Sequence, residues 1–197
     1  MPMFVRWPGK IKGGAVINDS TSALDWVPTL VAAAGAPDIK EQLKKGTKLG
    51  DQKYKVFLDG YNLLPNLTGK AGDNAAWPRR EFLYWNDGGQ LVGLRYDDYK
   101  LVFMEQRAKG FMVWAEPFVP LRVPKIFNLR TDPFERADTD ANNYERWWIE
   151  RVFALVPAQT FVAEYIATFK DFPPRQKPAK FNVDDALATL KSASGTN

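Results

Sequence analysis

Glu81-Phe82-Leu83-Tyr84-Trp85 runs into Asn86-Asp87-Gly88-Gly89, then residues 90–95, the pair Asp97-Asp98, and residues 99–105. Aromatic and branched residues alternate here with turn formers. The stretch therefore predicts three antiparallel strands joined by tight turns. In the third strand Leu101 and Phe103 fall on one face, Val102 and Met104 on the other. Both faces are apolar, which predicts a sheet covered on both sides, by a helix on one and the preceding domain on the other. Downstream, residues 111–114 predict a further strand and residues 125–129 a final one. Pro117, Pro120 and Pro124 mark an irregular stretch between them, and Thr131-Asp132-Pro133 a turn.

The last third predicts helix. Trp148, Val152 and Leu155 recur at helical spacing, as do Phe161, Tyr165 and Phe169. Pro157 lies between the two runs and predicts a kink or two helices. Phe172-Pro173-Pro174 ends the element. Asn182 is placed to cap a short helix carrying Leu187 and Leu190, and residues 192–197 are expected to fray.

Upstream, Met3-Phe4-Val5-Arg6-Trp7 reads as a strand leaving a buried sheet, closed by Pro8-Gly9 and followed by a basic loop. Ser20, Thr21 or Ser22 caps a helix running to about Ala34, with Gly35 as its stop. Pro28 is tolerated only in a first turn, so the regular helix starts near Trp26, with Leu30, Val31 and Ala34 toward one face. Residues 39–45 predict a short surface helix, 46–54 a polar connector, and 61–67 a brief helical segment between Gly60 and Gly69. Residues 70–76, rich in Gly, Ala and Asn, read as a linker. The expected domains are thus residues 1–75 and 76–197.

Composition narrows the chemistry. Of 197 residues 45% are hydrophobic, enough for a packed core. The 27 basic and 23 acidic residues are interspersed, giving +4 and a solvated mixed-charge surface rather than a nucleic-acid patch. There is no Cys, so no disulfide, thiolate metal site or cysteine nucleophile exists in this chain. There is no His, which removes the usual general base and the commonest metal ligand. No apolar stretch reads as reaching the roughly 20 residues of a membrane helix. No signal-peptide pattern opens the chain, so its compartment is not legible.

Five ordered blocks carry a family resemblance: Met3-Phe4-Val5-Arg6-Trp7-Pro8-Gly9-Lys10; Leu24-Asp25-Trp26-Val27-Pro28-Thr29-Leu30; Leu58-Asp59-Gly60-Tyr61-Asn62-Leu63-Leu64-Pro65; Leu94-Arg95-Tyr96-Asp97-Asp98-Tyr99-Lys100-Leu101; and Ile126-Phe127-Asn128-Leu129-Arg130-Thr131-Asp132-Pro133-Phe134-Glu135. Together they resemble the late part of type I sulfatases, of the alkaline-phosphatase-like superfamily. The tail, with Val156-Pro157-Ala158-Gln159 and Phe172-Pro173-Pro174-Arg175-Gln176, resembles a subset of bacterial arylsulfatases. The resemblance implies an α/β fold, α+β within this chain. The end of an alkaline-phosphatase-like domain precedes a small antiparallel sheet packed on a C-terminal helix. It implies a parent that hydrolyses sulfate esters with calcium and a formylglycine nucleophile, both supplied upstream. No serine here lies in the C/S-x-P-x-R pattern, and Asp73-Asn74 stands in the wrong order for the family's Asp-Asn metal pair. The expectation is a fragment with no catalytic residue, metal site or cofactor of its own, partnered by the missing N-terminal catalytic portion and, in the whole enzyme, by a sulfate ester. A stand-alone interaction module and a fragment of a phosphoester or phosphonate hydrolase are the alternatives.

Among single sites, Trp85, Asn86 and Asp87 at a hairpin tip are the candidate rim of a substrate pocket. Asp59 reads as a turn residue capping the Tyr61 segment, and Asp97-Asp98 as a turn lacking a third ligand. Trp147-Trp148 reads as core, and Asn66-Leu67-Thr68 as a chance glycosylation sequon. Lys177 and Lys180 read as part of a solvated tail.

Overall fold

The computed structural model describes residues 3–72 and 75–174. Asp73-Asn74, Arg175-Gln176, Lys177, Lys180 and the Asn182 helix lie outside the described residues. The fold mixes helix and antiparallel sheet, in two units that part between Phe82 and Leu83.

In the first unit, Ser22 caps a 3-10 turn, Ala23–Asp25, which leads into α1, Trp26–Ala33. Pro28 sits in the first turn of α1, where a missing N–H breaks no helical bond. Gly35 follows the helix end with φ of 103°. The buried face of α1 is Pro28, Thr29 and Ala32, whereas Leu30 is exposed. The expected Leu30 face is thus turned outward, because the polar anchors Asp25 and Thr29 fix the helix rotation. Next come α2, Ile39–Lys45, which buries Ile39 and Leu43, and a hairpin of β1, Thr47–Leu49, and β2, Gln52–Tyr54. The hairpin replaces the expected connector; Gly50, at φ of 62°, makes its turn possible. The helix after Gly60 is only α3, Leu64–Leu67. Residues 3–7 form no strand: no partner strand stands beside them among the described residues, and Phe4 is 95% exposed.

The second unit carries the sheet. Strands β3, Glu81–Trp85, β4, Leu91–Tyr96, and β5, Tyr99–Glu105, form the predicted meander. Leu94 faces Leu101, and Leu101 faces Ile126 of β6, Val119–Asn128. Pro120 and Pro124 lie inside β6 rather than in irregular chain. An edge strand tolerates them because its outer backbone groups need no ladder partner, and the register slips between Val102 and Met104. Residues 111–114 form a 3-10 turn, Gly110–Trp114, instead of a strand. The Gln106 amide clasps that loop by donating to the Val113 and Glu116 carbonyls.

Helices α4, Ala137–Asp140, α5, Tyr144–Ile149, and α6, Leu155–Ala167, complete the unit. The core is Leu94, Leu101, Ile126 and Ala158, with Leu83, Phe103, Trp147, Trp148, Leu155, Phe161 and Val162 packed against it. One sheet face is therefore covered by the C-terminal helices, as the apolar pattern predicts. The free side of β6 is also occupied. The Tyr144 hydroxyl bonds both the N–H (3.2 Å) and carbonyl (3.0 Å) of Ile126, and the Trp148 indole donates to the Pro124 carbonyl at 3.0 Å.

Pro157 does not break the last helix. It lies in the first turn of α6, and a 3-10 turn before it and another after it give one helical run, Val152–Lys170. That run has 19 residues and is long and apolar enough, by length and composition alone, to cross a membrane. Two helices cover the stretch, as expected, but the break between them follows Ile149 rather than falling at Pro157, which lengthens the last run beyond what the pattern predicts.

Candidate functional site

The densest polar node in the first unit is one the motifs did not single out. Asp25 is fully buried and Arg79 is 6% exposed. They pair through both carboxylate oxygens, with Arg79 Nε 2.7 Å from Oδ2 and Nη2 2.6 Å from Oδ1. Asp25 also accepts the backbone N–H of Ser22 at 2.8 Å and of Tyr61 at 2.8 Å. The remaining Arg79 donors reach the carbonyls of Glu81 (3.0 Å) and Asp59 (3.1 Å). The guanidinium lies 4.9 Å over the Tyr61 ring, Lys40 stands 5.0 Å from the same ring, and the Tyr61 hydroxyl donates to Glu81.

One turn along α1, Thr29 Oγ1 accepts the Leu63 N–H at 2.9 Å and donates to the Tyr61 carbonyl at 3.3 Å. The start of α1, residues 59–63 and residues 79–81 are thereby bound together. Gly60 is the only residue type that fits where these segments touch: a Cβ there would lie 2.0 Å from the Leu24 carbonyl oxygen.

The electrostatics make this a clamp and not a proton-transfer site. Burial alone would push the Asp25 carboxyl up. The hydrogen bonds from Arg79, Tyr61 and Ser22 outweigh it and hold Asp25 below the ordinary carboxylate value. Burial and the Glu81 contact push the Tyr61 phenol well above its usual range. No buried side-chain polar atom among the described residues lacks a partner. A buried carboxylate held below its ordinary range and bonded at both oxygens serves to hold its neighbours together.

A second joint lies in the other unit. Lys100 Nζ stands 2.7 Å from both Glu135 oxygens and 4.7 Å over the Tyr84 ring. It ties the block around Leu94–Leu101 to the Asp132-Pro133-Phe134-Glu135 turn, in which Asp132 accepts the N–H groups of Arg136 (3.0 Å) and Ala137 (2.8 Å). Lys125 bridges Glu105 and Asp138 beside it. Replacing Lys100 with Met is expected to cost about 1 kcal/mol, because the pair is only partly buried. The urea midpoint reads this, and an equal loss in Glu135→Gln with no further loss in the double variant would confirm the pairing.

The remaining sequence candidates fall as follows. Trp85 is 38% exposed, with its ring 6.2 Å from Tyr165 and 6.0 Å from Phe169. The Asn86 side chain is spent on Gln90, donating to its Oε1 and accepting its N–H, both at 2.9 Å, while Asp87 is exposed. These three residues form a self-closed turn with an aromatic flank. The Asp59 carbonyl serves Arg79, and it is Asp25 that receives the Tyr61 N–H. Asp97, at φ of 50°, and Asp98 make the β4–β5 turn. No three Asp or Glu side chains converge among the described residues. Trp147 and Trp148 pack on the core. The Thr68 hydroxyl of the sequon is spent on the Leu64 carbonyl at 2.8 Å.

Sequence reasoning missed Asp25 and Arg79. A signal existed for Asp25: Ser22-x-x-Asp25 is a capping box, and both of its hydrogen bonds are present. Arg79 offered none, since its partner lies 54 residues away.

No protein-family model matches the chain. Human Arylsulfatase A is 28% identical over 145 residues, covering 68% of this chain and 25% of that protein. Human Arylsulfatase H is 31% identical over 96 residues, covering 49% of this chain and 14% of that protein. Among solved structures, the PsFucS1 sulfatase from Pseudoalteromonas sp. is similar at 25% identity and a TM-score of 0.43, over 61% of this chain and 22% of that one. The chain thus spans a quarter or less of the length of these proteins.

Proposed function

We propose that this chain, which is related to the C-terminal portion of the arylsulfatases, is the scaffold part of a sulfuric ester hydrolase. In this reading it finishes an alkaline-phosphatase-like α/β domain with residues 1–75 and adds the sheet-and-helix subdomain with residues 76–197. The groups that break the ester, with calcium and formylglycine, belong to a catalytic portion this chain does not contain. The observation that carries the reading is a pairing of two facts: similarity to arylsulfatases, and a sequence with neither His nor Cys. The clamp supports it, because the blocks that resemble the family meet there: Asp25 from one, and Asp59, Gly60 and Tyr61 from another. Their physical work is to hold backbone together. Exposed Met3, Phe4, Leu24, Val27 and Leu30 give the first unit apolar surface for such a catalytic portion. The Trp85 turn, with Asn86 and Asp87, lies at the pocket rim in this reading.

The purified chain is expected to turn over aryl sulfate, and aryl phosphate, no faster than buffer. A rate above buffer that persists through repurification and saturates with substrate would refute the scaffold role.

A further inference from the structure

The sequence holds two Asp-Gly pairs, Asp59-Gly60 and Asp87-Gly88, and the fold treats them in opposite ways. In such a pair the glycine nitrogen can attack the aspartyl side-chain carbon, because no Cβ crowds that nitrogen and the glycine backbone turns freely. Whether it does depends on whether the chain lets the two atoms meet.

At Asp87 the chain lets them meet. Residues 86–89 form a β-turn closed by the Gly89 N–H on the Asn86 carbonyl at 3.0 Å, with Asp87 and Gly88 as its central residues. The Asn86 N–H donates to the Gln90 carbonyl at 3.1 Å, and the Gln90 N–H donates back to Asn86 Oδ1 at 2.9 Å. These bonds anchor the flanks, and none of them uses the Gly88 N–H or the exposed Asp87 carboxylate. At Asp59 the backbone is pinned on both sides. The Asp59 carbonyl accepts from Arg79 at 3.1 Å, the Gly60 carbonyl accepts from Lys40, and Asp25 holds the Tyr61 N–H. Gly60 itself is buried against the Leu24 carbonyl. The peptide between residues 59 and 60 cannot rotate without opening the clamp.

We propose that Asp87 is a site of spontaneous covalent modification, isomerising to isoaspartate through a cyclic imide, while Asp59 is protected by the fold. The Gly88 nitrogen bonds to the side-chain carbon of the protonated Asp87 carboxyl. Its proton leaves with the carboxyl hydroxyl as water, which closes a five-membered ring. Water then opens the ring at one of its two carbonyls. Opening at the side-chain carbonyl returns aspartate, and opening at the main-chain carbonyl gives isoaspartate. One water leaves and one enters, so neither mass nor oxidation state changes. The product runs the main chain through the β-carbon, adds one backbone atom to the turn and leaves the α-carboxylate as its side group. Such a group is a substrate for enzymes that methylate isoaspartyl carboxylates. Placing this turn at a pocket rim would make ageing reshape that rim, but the inference does not depend on the sulfatase reading.

Incubating the intact folded chain in oxygen-labelled water, followed by peptide mapping, tests it, since each passage through the ring leaves one heavy oxygen in the peptide. Label is expected at Asp87 at least about tenfold faster than at Asp59, the factor that about 1.4 kcal/mol of local opening imposes. A second, separately eluting form of the Asp87 peptide, fragmenting as isoaspartate, is expected to grow with it. In guanidinium chloride, where the clamp is gone, both pairs are expected to label at similar rates. Asp87→Glu, which would need a six-membered ring, is expected to remove the label from its peptide. A folded chain that labels Asp59 as fast as Asp87 overturns the proposal. So does a folded chain that labels neither while the denatured chain labels both, or a D87E peptide that still takes up label. None of these results bears on catalytic silence, so this inference and the scaffold reading can fail separately.

Discussion

Arg79→Met is expected to destabilise the first unit by about 3–5 kcal/mol, enough to unfold a marginal domain at room temperature. The cost does not come from losing a strong attraction. The net worth of a buried pair is small, because two charges were taken out of water to make it. It comes from what is left behind: Asp25, fully buried, bonded only to the amides of Ser22 and Tyr61, and without its counter-charge. Urea unfolding followed by the protein's tryptophan fluorescence, to which Trp26 and Trp77 of this unit contribute, reads the loss. An R79M protein within about 1 kcal/mol of wild type would mean that the clamp is ornamental. The same geometry sets a pH dependence. The Asp25 carboxyl is held below its ordinary value of 3.8 when folded. Its stabilisation is therefore complete above the unfolded carboxylate range and is lost as pH falls through the lower folded value. Acid unfolding of this unit is expected below about pH 4, and Asp25→Asn is expected to flatten that acid limb while lowering stability at neutral pH.

Gly60→Ala is expected to cost about 3 kcal/mol or more, a large effect for one methyl group. The new Cβ would stand 2.0 Å from the Leu24 carbonyl oxygen and 2.6 Å from its carbon. Those are backbone atoms, and neither segment is free to retreat. Leu24 precedes Asp25, which Arg79 grips, and Gly60 precedes Tyr61, whose N–H the same carboxylate holds. Strain at residue 60 and loss of Arg79 act on one joint, so G60A with R79M is expected to fall well short of the sum. Thermal unfolding of the two single variants and the double variant decides it.

The meander and the helices α1 and α2 were legible in the sequence, whereas residues 3–7, the β1–β2 hairpin, residues 111–114 and the path of β6 were not, for a physical reason. The meander declares itself locally: β-favouring runs and Gly-bearing turns fix strands and register together, and residues 81–105 fold as their pattern reads. Residues 3–7 have strand propensity but no neighbouring strand among the described residues to complete a ladder, and residues 111–114 are held in a turn by Gln106, seven residues before the Val113 carbonyl it bonds. Both were misread because propensity names only what a segment prefers when a partner is present. The outward rotation of Leu30 has the same origin. Hydrophobic spacing voted for one face of α1, and two hydrogen-bonding side chains, Asp25 and Thr29, chose the other. At the candidate site the turn role of the Trp85, Asn86 and Asp87 segment was readable, while Arg79 was not, since nothing local marks a residue whose partner is 54 positions distant.

Sealing the β6 border with two ring side chains has a consequence for how this molecule can go wrong. A foreign strand seeking to lengthen the sheet at Pro124 and Ile126 meets carbonyls and an amide already engaged by Trp148 and Tyr144, in a segment where prolines withhold donors as well. Fibrillar growth from that border first requires α5 to peel away. Tyr144→Phe, which removes the hydroxyl and keeps the ring, should therefore shorten the lag before cross-β aggregates form while leaving the native core in place.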